Sequence, residues 1–194
     1  NYNVTYSNDY SGTITAKQVS ISGITASNKV YDGTTAATIN TSGAYVVGVI
    51  AGDSVGVNSA SASGAFSDKH VGNGKTVTIT GLALNGTDSG NYTLSGSTTT
   101  TTANITRRPI TVTAATDTKT YDGTTSSSGT PTITSGSLAT GDSASWSQTF
   151  NSKHVGTGKT LTASGSVTDG NSGNNYDVTF VTSTTGVINA RTIT

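Results

Sequence analysis

The segment Lys29-Val30-Tyr31-Asp32-Gly33-Thr34-Thr35 returns 90 residues later as Lys119-Thr120-Tyr121-Asp122-Gly123-Thr124-Thr125. Each copy has the chemistry of a tight turn. Asp accepts a hydrogen bond from the backbone two residues on, Gly supplies positive φ, and Tyr is left to plug a core edge. A turn of this kind, flanked by residues that alternate apolar and polar, predicts strands and not helices.

Working outward, the same order of motifs follows each copy. Gly52-Asp53-Ser54 matches Gly141-Asp142-Ser143, and Lys69-His70-Val71-Gly72-Asn73-Gly74-Lys75-Thr76 matches Lys153-His154-Val155-Gly156-Thr157-Gly158-Lys159-Thr160. A third element occurs three times, as Asn1-Tyr2-Asn3-Val4, Asn91-Tyr92-Thr93-Leu94 and Asn175-Tyr176-Asp177-Val178. A fixed-period repeat of this kind sets the domain organisation before any other reading. It predicts the tail of one repeat over residues 1–16, a full repeat over 17–107, a second over 108–190, and the start of another at 191–194. The chain opens inside a repeat, so a longer parent chain is expected.

Period-two alternation recurs at Tyr2, Val4 and Tyr6, at Val19 and Ile21, at Ile110 and Val112, at Val77 and Ile79, and at Tyr176, Val178 and Phe180. Composition agrees. Every acidic residue is Asp, and Thr, Ser, Gly, Val and Asn dominate, a profile that suits strands and turns. Leu, Ile, Val and Phe together number only 35 of 194 residues, so each core is thin. The expected core is Val19, Ile21, Phe66, Val77, Ile79, Leu82 and Tyr92 in the first repeat. In the second it is Ile110, Val112, Phe150, Leu161, Tyr176 and Val178. A short helical turn is expected before each Gly-Asp, at Val47–Ala51 and Ser137–Thr140. The fold class is therefore all-β (mostly β), with tandem small domains of β-sandwich or β-grasp-like form. Four residues, Thr106 to Pro109, separate the strand expected to end at Ile105 from the next at Ile110. Pro109 stiffens that crossing, so the repeats are expected end to end in an elongated rod.

The function classes narrow from the same residues. Net charge is zero, which leaves no basic stripe for nucleic acid. No apolar run is long enough to insert in a membrane, and with no Cys there is no disulfide or thiol chemistry. His70 and His154 are the only histidines, one per repeat, and neither has a nucleophile and orienting partner marked by spacing. No catalytic residue, cofactor or metal is assigned, and ligand-binding residues stay unknown. Gly72-Asn73-Gly74-Lys75-Thr76 echoes a phosphate loop, but the spacing is short and it runs into a strand pattern. Asp88 to Asn91 and Asp169 to Asn171 place oxygen groups on loops, as calcium sites do, without the density of carboxylates such sites use. Lys29, Lys69, Lys75 and Asn91 recur with their counterparts and raise the option of Lys–Asn cross-links. Asn3, Asn40, Asn85, Asn91 and Asn104 head glycosylation sequons. The residues singled out as a structural motif are Tyr31, Asp32, Gly33, Phe66, His70, Gly72 and Tyr92, and in the second repeat Tyr121, Asp122, Gly123, Phe150, His154, Gly156 and Tyr176.

Taken in order, the Tyr-Asp-Gly-Thr-Thr, Gly-Asp-Ser, Lys-His-Val-Gly-x-Gly-Lys-Thr and Asn-Tyr elements resemble the YDG-type repeat domain. Such repeats are similar to those stacked in filamentous-haemagglutinin-like bacterial surface adhesins. The resemblance covers both full repeats and the leading tail. It implies a secreted chain at a Gram-negative cell surface, exported through an outer-membrane partner and acting in cell adhesion or biofilm. The expected role is a stalk that projects a distal adhesive region, with neighbouring repeats as partners in a monomeric chain. The alternative is that each repeat is itself a carbohydrate- or host-protein-binding module. The lone Trp146, which stands where the first repeat has Val57, does not mark a shared aromatic shelf. The second copy also lacks five residues after Gly141-Asp142.

Overall fold

The computed structural model describes residues 1–8 and 11–193. The expected tail at 1–16 and start at 191–194 therefore lie partly outside the described residues, at 9, 10 and 194. The described chain is all-β: strands joined by turns, with one short 3-10 turn at Ser89–Asn91. No helix among the described residues is long and apolar enough to cross a membrane.

Two compact units divide the chain. The first takes residues 1–26, 38–65 and 77–101; the second takes 27–37, 66–76 and 102–194. In the first unit Lys17–Ser22 is the middle strand of three. It pairs parallel with Tyr92–Leu94, Lys17 opposite Tyr92, and antiparallel with Tyr45–Val47, Ile21 opposite Val46. Ala83–Asn85 pairs with Gly56–Asn58 in a separate ladder. Val19, Ile21, Ile24, Val77, Ile79 and Tyr92 fill the interior.

The second unit repeats the pattern. Arg108–Thr113 is the middle strand, parallel to Tyr176–Val181 over six residue pairs and antiparallel to Thr132–Ser135. A four-stranded sheet follows in the order Thr118–Thr120, Ser183–Asn189, Gly156–Thr168, Ser143–Phe150. Its counterpart runs Lys29–Val30, Thr99–Thr106, Gly72–Thr80, Ser63–Phe66, Ala36–Ala37. The mixed sheet around each first strand departs from a purely antiparallel sandwich.

Several expectations need correction. Leu82 and Val178 are only half-buried; the apolar positions that follow them, Leu84 and Phe180, are no better covered, so the interior ends before the alternation does. The interior holds residues the alternation did not mark: Tyr31, Ile105 and Ile188 are fully enclosed. Residues 1–8 carry no strand, and Tyr2, Val4 and Tyr6 are exposed. In each full repeat the matching segment pairs with that repeat's own first strand, Tyr92–Leu94 with Lys17–Ser22 and Tyr176–Val181 with Arg108–Thr113.

The expected helical turns are hydrogen-bonded β-turns. Asp53 N–H donates to Ile50 O at 3.1 Å, and Asp142 N–H to Ala139 O at 3.1 Å. Gly52 and Gly141 take φ of 99° and 91° at the third position, which a right-handed helix forbids and a type II turn requires. The crossing between repeats is shorter than the spacing suggested. Thr99–Thr106 and Arg108–Thr113 are separated by Arg107 alone, and Pro109 lies inside its strand.

Candidate functional site

Each Tyr-Asp-Gly loop closes around a lysine. Lys29 Nζ donates to Asp32 Oδ1 at 2.8 Å, Thr34 O at 2.7 Å and Ala36 O at 3.0 Å, while Thr34 N–H donates to Asp32 Oδ1 at 2.9 Å. Lys119 makes the same set: Asp122 Oδ1 at 2.9 Å, Thr124 O at 2.9 Å and Ser126 O at 2.9 Å, with Thr124 N–H on Asp122 at 2.9 Å. The ammoniums also stand over Phe66 and Phe150, at 5.4 and 5.5 Å from the ring centroids. The Lys119 ammonium and then the Thr124 donors hold the Asp122 carboxyl down at about 2. At Asp32 burial works the other way, but the same donors outweigh it and the carboxyl stays below its usual range. These loops are self-satisfied turns. Phe66 and Phe150 anchor them equivalently, donating N–H to Thr35 O at 2.8 Å and Thr125 O at 2.9 Å.

The two tyrosines of the loops part company. Tyr31 is fully enclosed, while Tyr121 is half-buried. Within the second unit the Tyr31 ring meets Tyr176 edge to face, 5.6 Å between centroids and 73° between planes. Its hydroxyl donates to Asp142 Oδ1 at 3.3 Å; Tyr176 donates to Asp142 Oδ2 at 2.7 Å and accepts from Ala139 N–H at 2.8 Å. Arg108 Nη1 caps Tyr31 O at 3.3 Å, and its Nε donates to Ser137 O at 2.6 Å. Burial first, and the Asp142 carboxylate second, push the Tyr31 hydroxyl up to about 12; burial also carries Tyr176 to about 12, against the opposing pull of the Ala139 amide.

A polar anchor stands beside this pair. Asn175 is fully enclosed, and its Oδ1 accepts Val71 N–H at 3.0 Å. Its Nδ2 lies 3.1 Å from His70 Nδ1; with the amide donating, His70 carries its proton on Nε2. Asp169 accepts the backbone N–H groups of Asn171, Gly173 and Asn175 at 2.8, 2.8 and 3.0 Å. Burial opposes the charge, but those amides outweigh it and lower the Asp169 carboxyl. The structure thus brings together Tyr31, His70 and Tyr176, with Asp142, Asn175 and Arg108, which motif reading alone did not join. Tyr92 makes the corresponding bonds in the first unit, donating to Asp53 and accepting Ile50 N–H at 3.0 Å. His154 is exposed.

Other sequence candidates find ordinary places. Gly72 and Gly156 open the strands Gly72–Thr80 and Gly156–Thr168, not a phosphate-binding helix. Lys75 Nζ bonds Asp68 at 2.7 Å, and Lys159 Nζ bonds Ser152 at 3.0 Å; with Lys29 and Lys119 tied to aspartates, none of these four ammoniums meets an asparagine side chain. Asp88 is taken up by Ser54 N–H at 2.7 Å. Among the described residues no three His, Cys, Asp or Glu side chains converge as a metal group would need.

Comparison with known proteins adds the family. The YDG domain model matches residues 15–102 and again 106–186. No curated protein and no solved structure matches the chain. With most of its residues covered by two consecutive matches, and each match holding one lysine-centred Tyr-Asp-Gly turn, the chain belongs to the YDG domain family.

Proposed function

We propose that these repeats are structural: a stalk of a large secreted adhesin that holds a distal adhesive region away from a Gram-negative cell surface. The observation that carries the reading is the enclosure of Tyr31 and Asn175. Side chains from the first sequence repeat, Tyr31 and His70, are bonded to side chains of the second, Asp142 and Asn175. Buried hydrogen-bonded contacts of this kind resist flexing, because separating them exposes unpaired polar groups. Only Arg107 lies between the strands that join the repeats, which leaves no length for a flexible linker. The polar composition and zero net charge suit a chain that neither binds nucleic acid nor inserts in a membrane. We assign it no catalytic role and no cofactor. Likeness to filamentous-haemagglutinin-like adhesins and export through an outer-membrane partner belong to the same proposal.

Small-angle scattering on the 194-residue chain tests it. A compact particle of this length has a radius of gyration of about 16 Å. A clearly larger value with an extended distance distribution is expected; a value near 16 Å overturns the rod and the stalk with it.

The binding-module alternative draws on one observation. Trp146 and Phe180 meet edge to face at 5.8 Å in the second repeat, and Phe180 remains partly exposed. Phe180 stands where the first repeat has Gly96, so the pair is not a shared surface. Glycan-array binding abolished by Trp146→Ala would favour this alternative over the spacer.

A further inference from the structure

We propose that the cavity beside Ile50, Asp53 and Tyr92 is a socket for the Tyr121 side chain of a second copy of this chain, so that copies join head to tail through the joint that Tyr31 already makes. The template lies in the second unit, where Tyr31 rests on Tyr176 and Asp142. The first unit holds the same receiving groups. Tyr92 corresponds to Tyr176, Asp53 to Asp142, Ile50 to Ala139 and Lys17 to Arg108. They are already set in the receiving geometry. Tyr92 donates to Asp53 Oδ2 and accepts Ile50 N–H at 3.0 Å, as Tyr176 donates to Asp142 Oδ2 and accepts Ala139 N–H at 2.8 Å.

What differs is the occupant. Asp142 Oδ1 accepts the Tyr31 hydroxyl, whereas Asp53 Oδ1 accepts no hydrogen bond from the described residues. In place of a tyrosine there is a cavity of about 320 Å³, lined by Lys17, Ile50, Asp53, Asn91 and Tyr92 and by residues 14–16. Residues 14–16 match 105–107, the segment alongside which Tyr31 is held.

The plug is equally prepared. Tyr31 N–H donates to Thr106 O at 2.9 Å, and Tyr121 N–H to Asn189 O at 2.8 Å. The lysine-centred turns behind them are superimposable bond by bond. Yet the Tyr121 hydroxyl has no partner among the described residues, and its ring is half-exposed. The second point of the joint is open on both sides as well. Asn91 is exposed where Asn175 is enclosed, and His154 and Val155 are exposed where His70 and Val71 engage Asn175. Plug and socket are different surfaces of one chain, so the contact is heterologous and can propagate. Lys17 replaces Arg108, which leaves a single ammonium in place of the guanidinium fork to meet the plug's carbonyl.

The proposal rests on the stalk reading only in taking neighbouring repeats as natural partners, and the chain's lack of cysteine supplies a clean test. In the template an ideal Cβ on Gly33 would lie 3.2 Å from Ala139 Cβ, close to the spacing a disulfide spans. The corresponding positions are Gly123 and Ile50. Ile50→Cys and Gly123→Cys chains are mixed under a mild oxidant, and the mixed dimer is compared with the two homodimers. We expect the mixed species to exceed each homodimer at least tenfold, where random pairing gives only double, and a return to the random ratio when Tyr121→Ala is added to the Gly123→Cys chain. Because Gly123 has φ of 80°, Asn91→Cys with Val155→Cys serves as a second pair on ordinary backbone. Statistical yields for both pairs, or yields indifferent to Tyr121→Ala, overturn the proposal. So does a yield that responds instead to removal of residues 1–8, which would make the chain's own terminal segment the occupant. Statistical cross-linking together with extended scattering sinks the socket and leaves the stalk; specific cross-linking with a compact scattering profile does the reverse.

Discussion

The two Tyr-Asp-Gly loops are the same turn in different company. Lys29 and Lys119 hold their loops with bonds that agree within about 0.2 Å, and Phe66 and Phe150 are both enclosed. Tyr31 is nevertheless enclosed and Tyr121 is not; Asn175 is enclosed and Asn91 is not. The loop's conformation is a local property of seven residues, and its burial is a property of what comes next in the chain. A repeat can therefore be complete as a fold and still present unfilled contacts.

The largest effects should fall on what the repeats share. Phe66→Ala and Phe150→Ala should each cost roughly 3–5 kcal/mol in denaturant unfolding. Domains of this kind have only about 5–15 kcal/mol to lose. A large loss at one phenylalanine and none at the other would break the equivalence of the two loops.

The tyrosines should then separate the repeats. Tyr31→Ala is expected to cost about 3 kcal/mol, in the range for removing an enclosed aromatic ring. Tyr121→Ala should stay under about 1 kcal/mol at a half-exposed site. Equal melting shifts for the two variants would deny that context sets their burial. Asn175→Ala sharpens the same contrast, since it strands Val71 N–H. About 2 kcal/mol is expected there, against less than about 0.5 kcal/mol for Asn91→Ala.

The smallest expected effect is alkaline. Tyr31 and Tyr176 are raised from 10.0 to about 12, so the fold favours their neutral form. Their contribution is complete below pH 10 and is lost as pH rises through 12. Urea midpoints should therefore fall over that interval, and Tyr31→Phe should shrink the fall. A midpoint flat from pH 10 to 12 would contradict the burial of both hydroxyls.

How much of this could be read beforehand depends on range. The repeat, the alternating strands and most of the core, including Val77, Ile79, Phe66 and Leu161, were legible because period and polarity are local. The contrast between Tyr31 and Tyr121 was not, since both are followed by the same Asp-Gly-Thr-Thr and both read as plugs at a core edge. Asn175 was hidden in a polar run whose composition reads as a surface loop. The recurrence of Asp after Gly at Asp53 and Asp142 was the available signal for the receiving carboxylate, but it did not name tyrosine as the donor. Leu82 and Val178 show the opposite error, where alternation continues past the edge of the interior. Repeat-specific packing was also beyond reach. Gln148 and Asp117 are buried and bonded through Ser127 in the second repeat, at positions where the first has Gly64 and Ser27.

The parallel pairing of each repeat's first strand has a mechanical meaning. Arg108–Thr113 enters its sheet beside Tyr176–Val181, with six residues in register. Tension applied along the backbone draws the start of the first strand backward and the end of the second forward. Strands that lie parallel and are pulled from opposite ends slide past one another, so their ladder bonds share the load and must yield together; an antiparallel hairpin pulled from its open end would surrender them one at a time. A chain built from such pairs is arranged to bear a pull along its own length, and rupture, when it comes, should be abrupt.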